Sequence, residues 1–265
     1  MSYLMQTVKN LPVNVDEYLK KVLIKYRAPT GMPSRGYQAS QQIYPIIQSW
    51  AGDTLLGAYS AGSFAKASSI RNSTDIDLLI SLDPKTKGTP EEIYERLFRF
   101  VNSRGFHPTK KNISIGLKIN DLSIDLIPAK KRDQSTDLHI IWKNLERTVV
   151  QTNVQYHNDF VRYSGRIDEI KLAKIWCNLY NLEFPPFYLE LTVIDALYHR
   201  PRNQLSSNFQ IVLKYLQETF VNSVVKDPAN SRNIVSVDLT VGQKNAISEA
   251  AYNSLEKEYW EKIIL

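Results

Sequence analysis

Two aspartates open an apolar strand shortly after a Gly-Ser turn. Gly62-Ser63 is followed by Asp75-Ile76-Asp77 and then by Leu78-Leu79-Ile80. Alternate residues of a strand point to the same face, so Asp75 and Asp77 are predicted to present two carboxylates side by side. Such oxygen-rich pairs are ligands for hard divalent cations such as Mg²⁺. A Gly-Ser turn can offer backbone N–H groups and a hydroxyl to a polyphosphate. The segment therefore predicts nucleotidyl transfer.

A third carboxylate, Asp125, lies in the apolar segment Leu122–Pro128. Three carboxylates are a natural ligand set for two metal ions that clamp the attacking and leaving oxygens of an in-line displacement. In this hypothesis Asp75 and Asp77 bridge both ions. Asp125 holds the ion that activates the attacking hydroxyl and can accept its proton. Gly62 and Ser63 hold the triphosphate.

The same aspartates also have a purely structural interpretation. Asp75 would cap a turn, Asp77 would be a charge at a strand end, and Asp125 would face solvent. Two aspartates one residue apart are common by chance. The catalytic interpretation is favoured because the Gly-Ser turn lies at the right distance, and because a charge in an apolar strand is costly unless it is paired or metal-bound.

Four further residues are candidates for binding a nucleotide. Lys66 and Arg71 follow the Gly-Ser turn in sequence and could meet phosphates, or be ordinary surface cations. Lys174 is placed by helical spacing on the polar side of its helix, where it is either a solvated lysine or a phosphate contact from a second lobe. Tyr188, near a helix start, could stack on a base or belong to the core.

Composition limits the possible classes of protein. The chain has 265 residues, 43% of them hydrophobic and 23% charged, with a net charge of +6 that favours anionic partners. No apolar run reaches the length of a membrane span. The N-terminus lacks the features of a signal peptide, and the single cysteine, Cys177, fits a reducing compartment, so a cytoplasmic location is expected. No two of the four histidines have metal-ligand spacing, which argues against zinc.

The order of elements predicts an α/β (α+β) fold, in which a core lobe with a mixed sheet packs on a C-terminal helical lobe across a cleft. Residues 1–150 are assigned to the core lobe with its N-terminal helices, and residues 151–265 to the helical lobe. Helices are predicted after Asn14, over 37–50, after Thr89, over 159–181 with a break at Gly165, and over 187–198, 205–221 and 243–262. Strands are predicted over 55–59, 75–82 and 113–119, and from 122 after an Asn120-Asp121 turn.

Five segments together resemble the DNA polymerase β-type nucleotidyltransferase superfamily, and within it the oligoadenylate synthetases and cGAS/DncV-like nucleotidyltransferases (CD-NTases). "GSFAKASSIRNSTDIDLLISL" resembles the segment with the Gly-Ser turn and two aspartates, and "LSIDLIPAK" the strand with the third. "IKLAKIW" resembles the helix with a phosphate-binding lysine, which corresponds to Lys174. "FPPFYLELTVID" resembles the base-pocket segment, with Tyr188 at the stacking position, and "DPANSRN" a turn near the C-terminus.

The resemblance implies a two-lobed enzyme that uses two Mg²⁺ ions, or Mn²⁺, to join nucleoside triphosphates into a linear or cyclic oligonucleotide. ATP or dATP is the expected substrate, and pyrophosphate is released. The product is expected to act as an antiviral (antiphage) second messenger on a downstream effector, with nucleic acid or protein as a possible activator. Ala67 and Ser68 replace the glycine and threonine of the family pattern, and no zinc-ribbon insertion is present.

Two other functions remain open at this stage. The first is nucleotidyl transfer to a macromolecule, either an RNA 3′ end, which the basic charge suits, or a protein hydroxyl. The second is a binding module without activity, which predicts a broken carboxylate set, whereas the set in this chain is complete.

Overall fold

The computed structural model describes residues 14–28, 35–71, 75–119 and 122–265. Its helices are α1 (Val15–Lys25), α2 (Arg35–Ala51), α3 (Gly62–Ala65), α4 (Pro90–Ser103), α5 (Val154–Arg162), α6 (Ile167–Leu179), α7 (Pro186–Ala196), α8 (Leu205–Glu218) and α9 (Val241–Leu255). Its strands are β1 (Leu55–Ala61), β2 (Ile76–Leu82), β3 (Thr109–Lys110), β4 (Ile115–Ile119), β5 (Leu122–Lys131), β6 (His139–Lys143), β7 (Thr148–Thr152), β8 (Lys226–Asp227) and β9 (Asn230–Ile234).

A mixed sheet forms the centre of the first part of the chain. Its strand order is β1-β2-β5-β4-β3, and β6 and β7 extend it from β5. β2 runs antiparallel to β1 and parallel to β5, while β4 runs antiparallel to β5. The predicted fold class, a mixed sheet with a helical lobe, is confirmed. β2 is almost completely buried because it lies between two neighbours and is covered on both faces.

Helices α2 and α4 cover one face of the sheet, and their buried side chains share a core with β2, β4 and β5. The start of α4 follows from the sequence, because Thr89 and Glu92 form a capping box around the first turn. Pro45 lies inside α2, and Gly52 follows the end of this helix with a φ of +53°. We call the sheet with α2 and α4 the sheet lobe.

The helical lobe has a core of its own, built from α5 to α9. Helix α1 also belongs to this core, because its buried residues Leu19 and Val22 pack there. In the predicted division the N-terminal helices lie with the sheet lobe, so the structure differs from it for α1. Asn14 caps α1 by accepting a hydrogen bond from the Asp16 backbone N–H.

Two features of the helical region differ from the prediction. The tail is not entirely helical, because β8 and β9 form a short hairpin over the DPANSRN segment. Lys174, predicted on the polar side of its helix, is buried, whereas Leu179 in the last turn of the same helix is 38% exposed. The predicted break at Gly165 is confirmed, since α5 ends before it and α6 begins after it.

Strands β6 and β7 were not predicted at all. Each is only five residues long, and the turn between them carries charged residues and no glycine, so the usual hairpin signal is missing. The predicted Asn120-Asp121 turn lies outside the described residues. Within the described ranges, no helix is both long and apolar enough to cross a membrane.

Candidate active site

The sheet brings two of the three aspartates together. β2 and β5 are parallel neighbours, and their register pairs Asp77 with Asp125. Paired residues on adjacent strands lie on the same face of a sheet, about 5 Å apart. Asp75 precedes β2 and remains exposed, while Asp125 is buried. Carboxylates separated by nearly fifty residues in sequence are therefore gathered at one end of β2.

Gly62 closes the other side of Asp77. β1 pairs antiparallel with β2, which places Ala61 opposite Asp77 and leads the chain directly into Gly62. Gly62 has a φ of +64°, and a Cβ added to it would lie 1.8 Å from Asp77 Oδ2. The backbone of the Gly-Ser turn thus touches the carboxylate, which only a residue without a side chain permits. Ser63 follows at the start of α3.

The arrangement changes the acidity of Asp77. Burial, together with the negative charges of Asp125 and Asp75, raises the pKa of Asp77 to about 6, although Lys66 and Lys111 oppose the shift. Neighbouring carboxylates repel each other when both are ionised, unless a cation lies between them. The acidic centre therefore favours binding of positive charge.

In this structure Lys111 provides that charge. Its Nζ lies 2.8 Å from Asp125 Oδ1, donates a hydrogen bond of 2.9 Å to Oδ2, and is 3.9 Å from Asp75 Oδ2. Sequence reasoning missed Lys111, because nothing in the pattern KKN shows that it folds over the strand with the third aspartate. As the described residues stand, no group of three or more His, Cys, Asp or Glu side chains could hold a metal ion.

By the chemistry of its members, though not by their present arrangement, the donor set suits Mg²⁺ or Mn²⁺. Its members are carboxylate oxygens, the ligands that hard cations prefer. Asp125 Oδ1 is buried and has no partner with hydrogen-bond geometry within the described residues, despite the nearby ammonium. A cation already lies among these oxygens in the form of the Lys111 ammonium.

Lys66 and Lys174 meet at a buried glutamate that sequence reasoning did not single out. Glu190 of α7 contacts Lys66 Nζ at 2.9 Å and Lys174 Nζ at 2.7 Å, and it accepts a 2.6 Å hydrogen bond from Ser68 Oγ. Burial favours a higher pKa, but the two ammonium groups and the hydroxyl outweigh it, so the pKa of Glu190 is lowered. The network ties the helical lobe to the residues that follow the Gly-Ser turn.

Within this network Lys174 of α6 contacts Ser68, which follows the Gly-Ser turn. Its Nζ donates to Ser68 Oγ at 2.9 Å and to the Ser68 carbonyl at 3.2 Å. Ser68 occupies the position of the family threonine, and Ala67 before it has a φ of +60°, a conformation that suits the glycine of the family pattern. A phosphate contact for Lys174 or Lys66 stays a prediction.

Tyr188 is not brought to the acidic centre. It is fully buried and packs on Phe184 and Phe220 in the core of the helical lobe, so the ring has no exposed face for a base. The neighbouring Phe187 instead lies beside Lys66. Its ring lies 4.3 Å from Lys66 Nζ and 4.5 Å from the His157 ring.

The remaining motif, DPANSRN, shapes the β8–β9 hairpin. Asp227 is buried and accepts hydrogen bonds from His157 Nε2, the Ala229 backbone N–H and the Asn233 side chain. The contact with His157 joins the hairpin to α5, beside Phe187. This motif therefore has a structural role that depends on its first and last residues.

The predicted cleft between the lobes stays a prediction. Two surface cavities, of about 320 and 340 Å³, lie elsewhere. Asp16 and Arg202 are among the residues that line the first, and Trp50 and Arg96 among those that line the second.

Arg71, the other candidate for a phosphate contact, is exposed, and its backbone N–H donates to the Tyr26 carbonyl.

Comparison of the whole chain with solved structures finds similar folds in several proteins of one kind. CdnC of E. coli MS115-1, solved with ATP, matches with a TM-score of 0.74 and 17% identity over 90% of this chain and 89% of that chain. The CD-NTase CdnG of Bradyrhizobium diazoefficiens, in complex with GTP, matches at 0.73 and 13% identity over 92% of each chain. The CdnE cyclic dinucleotide synthase of Elizabethkingia meningoseptica, with GTP and Apcpp, matches at 0.65 and 14% identity over 90% of this chain and 98% of that chain.

At sequence level, no family model and no curated protein matches the chain. The similarity is therefore one of three-dimensional structure, and it extends over about nine-tenths of each of the compared chains. The chain has the fold of these CD-NTase structures.

Proposed function

We propose that the protein is a metal-dependent nucleotidyltransferase that polymerises nucleoside triphosphates into a linear or cyclic oligonucleotide and releases pyrophosphate. One observation carries this proposal. Asp77 and Asp125 are register neighbours on parallel strands, and the Gly62 backbone lies against Asp77. Carboxylates beside a turn that can offer backbone N–H groups to phosphate are what transfer of a nucleotidyl group requires. The fold shared with CdnC, CdnG and CdnE supports it.

Asp75, Asp77 and Asp125 are the proposed ligands of two Mg²⁺ ions, with Mn²⁺ as a substitute. When bound, such ions polarise the reacting phosphate and stabilise the charge on the attacking and leaving oxygens. The protein residues position the reactants. Gly62 and Ser63 hold the triphosphate, and Asp125 accepts the proton of the attacking hydroxyl.

ATP or dATP is the proposed substrate, in line with the ATP in the CdnC structure. A protein activator is part of the proposal, since CdnC has also been solved in complex with HORMA-deltaN; nucleic acid is the other candidate activator. The product would act on a downstream effector in antiphage defence. A cytoplasmic location agrees with the single, buried cysteine.

The test is incubation of the purified protein with each ribo- and deoxyribonucleoside triphosphate, with Mg²⁺ or Mn²⁺ and without any acceptor. We expect mass analysis to find pyrophosphate together with a dinucleotide or longer product from at least one triphosphate. If label is found on added RNA or protein and no free oligonucleotide forms in any of these assays, the alternative activity, modification of a macromolecule, replaces this proposal. Since an activator can be needed, the assay is repeated with HORMA-domain protein and with double-stranded RNA.

A further inference from the structure

The side chain of Lys111 lies where the proposed metal site requires positive charge. Its ammonium contacts both oxygens of Asp125, at 2.8 and 2.9 Å, and lies 3.9 Å from Asp75 Oδ2. Ser114 Oγ donates to the same Asp125 Oδ2 at 3.2 Å. An ion pair of this kind neutralises part of the acidic centre before any metal arrives.

The backbone of Lys111 is fixed, whereas its side chain has a path outwards. Its N–H donates to the Ser114 carbonyl at 2.9 Å, and its carbonyl accepts from the Tyr94 hydroxyl at 2.8 Å. The side chain is 43% exposed, unlike that of Asp125, which is 12% exposed. The flexible lysine side chain can therefore turn its ammonium from the carboxylates towards water without any movement of the backbone.

We propose that the Lys111 ammonium is the resident counter-cation of the acidic centre, that a divalent ion must displace it, and that Lys111 thereby sets the metal concentration at which the site fills. The inference rests on the proposed metal site. A cation and an ammonium compete for the same Asp125 oxygens, so each weakens the binding of the other. In the metal-free protein Lys111 also relieves repulsion between the carboxylates.

Binding of Mn²⁺ to the nucleotide-free protein tests this proposal without any activity assay. Free Mn²⁺ is followed by electron paramagnetic resonance during titration of the wild type and of Lys111→Met, which keeps the length of the side chain and removes its charge. We expect Lys111→Met to bind Mn²⁺ on the order of tenfold more tightly, because a charge-assisted hydrogen bond no longer competes.

Lys110→Met is the matched control. It removes the same charge one residue earlier, where the lysine pairs with Glu95 and lies over the Phe98 ring. Its effect on Mn²⁺ affinity should stay within about twofold, since more distant exposed charges are screened by salt. Equal affinities in the two variants, or weaker binding by Lys111→Met, would overturn the proposal. If neither variant nor the wild type bound Mn²⁺, the metal site itself would fail.

A second measurement uses only the wild type, so it does not depend on a variant that folds. Lysines are acetylated with a mild reagent in the absence and presence of Mn²⁺, and each site is quantified by peptide fragmentation and mass spectrometry. Displacement predicts a several-fold rise in acetylation of Lys111 when Mn²⁺ is added, with Lys110 unchanged. A fall, or no change, at Lys111 would show that the lysine keeps its place and would contradict the proposal.

Discussion

At the scale of single residues, Gly62 is constrained both by its own backbone and by its neighbour. Its φ of +64° disfavours any side chain, and a Cβ would meet Asp77 Oδ2 at 1.8 Å. We expect Gly62→Ala to lower the free energy of unfolding by about 1–3 kcal/mol. We also expect it to reduce nucleotide incorporation roughly 100-fold, because Asp77 or the turn must shift.

Gly52→Ala separates these two effects. Gly52 has a similar φ, +53°, but an added Cβ would meet nothing within 4 Å. It should show a comparable loss of stability in urea denaturation with nearly normal incorporation. If both variants lost activity equally, backbone strain alone would account for the effect, and the contact between Gly62 and Asp77 would have no catalytic importance.

The sequence singles out three aspartates for one site, and the structure makes Asp77 and Asp125 register neighbours. Nothing in the sequence shows how these carboxylates are neutralised. Lys111 and Glu190 escaped notice because a long-range ion pair has no local pattern. Tyr188 was misplaced for a related reason: two adjacent aromatic residues, Phe187 and Tyr188, begin α7, and only packing decides which one faces the core.

At the scale of elements, α3 is joined to α6 and α7 by the cluster of Lys66, Lys174, Ser68 and Glu190. Glu190→Gln would leave two buried ammonium groups with one neutral partner. Because removal of one partner leaves an uncompensated charge buried in the protein, we expect the free energy of unfolding to fall by about 3–5 kcal/mol.

Glu218→Gln provides the comparison for this experiment. Glu218 forms an exposed pair with Lys214 one helical turn away, 3.8 Å apart. Its replacement should change stability by less than about 1 kcal/mol in the same denaturation assay. Similar losses in the two variants would mean that the buried cluster contributes no more than a surface ion pair.

The helices were easier to predict than the strands. Capping residues at Asn14 and Thr89 and the glycine at 165 mark helix ends locally, so α1, α4 and the break before α6 could be read from the sequence. The hairpin β8–β9 is held by Asp227, whose partners include His157, seventy residues away. Such an element depends on tertiary contacts, which no short window of sequence contains.

At the scale of the whole molecule, the acidic centre adjoins the Gly-Ser turn, and the residues that follow this turn contact the helical lobe. The network around Glu190 links the lobes through residues that follow the Gly-Ser turn, and Lys66 also acts on Asp77 through its charge. The division of the chain at residue 150 stays a prediction, and α1 departs from it by packing on the helical lobe. The fold itself matches CD-NTase structures over about nine-tenths of the chain.

If Asp75, Asp77 and Asp125 form one catalytic centre, as we propose, the double variant Asp75→Ala with Asp77→Ala must be inactive. Incorporation of labelled triphosphate is compared with the wild type and with Asp53→Ala, which removes an exposed carboxylate outside the centre. We expect the double variant to keep its circular dichroism spectrum and to lose incorporation to background, while Asp53→Ala retains it. Normal product yield from the folded double variant would show that these carboxylates do not form the catalytic centre.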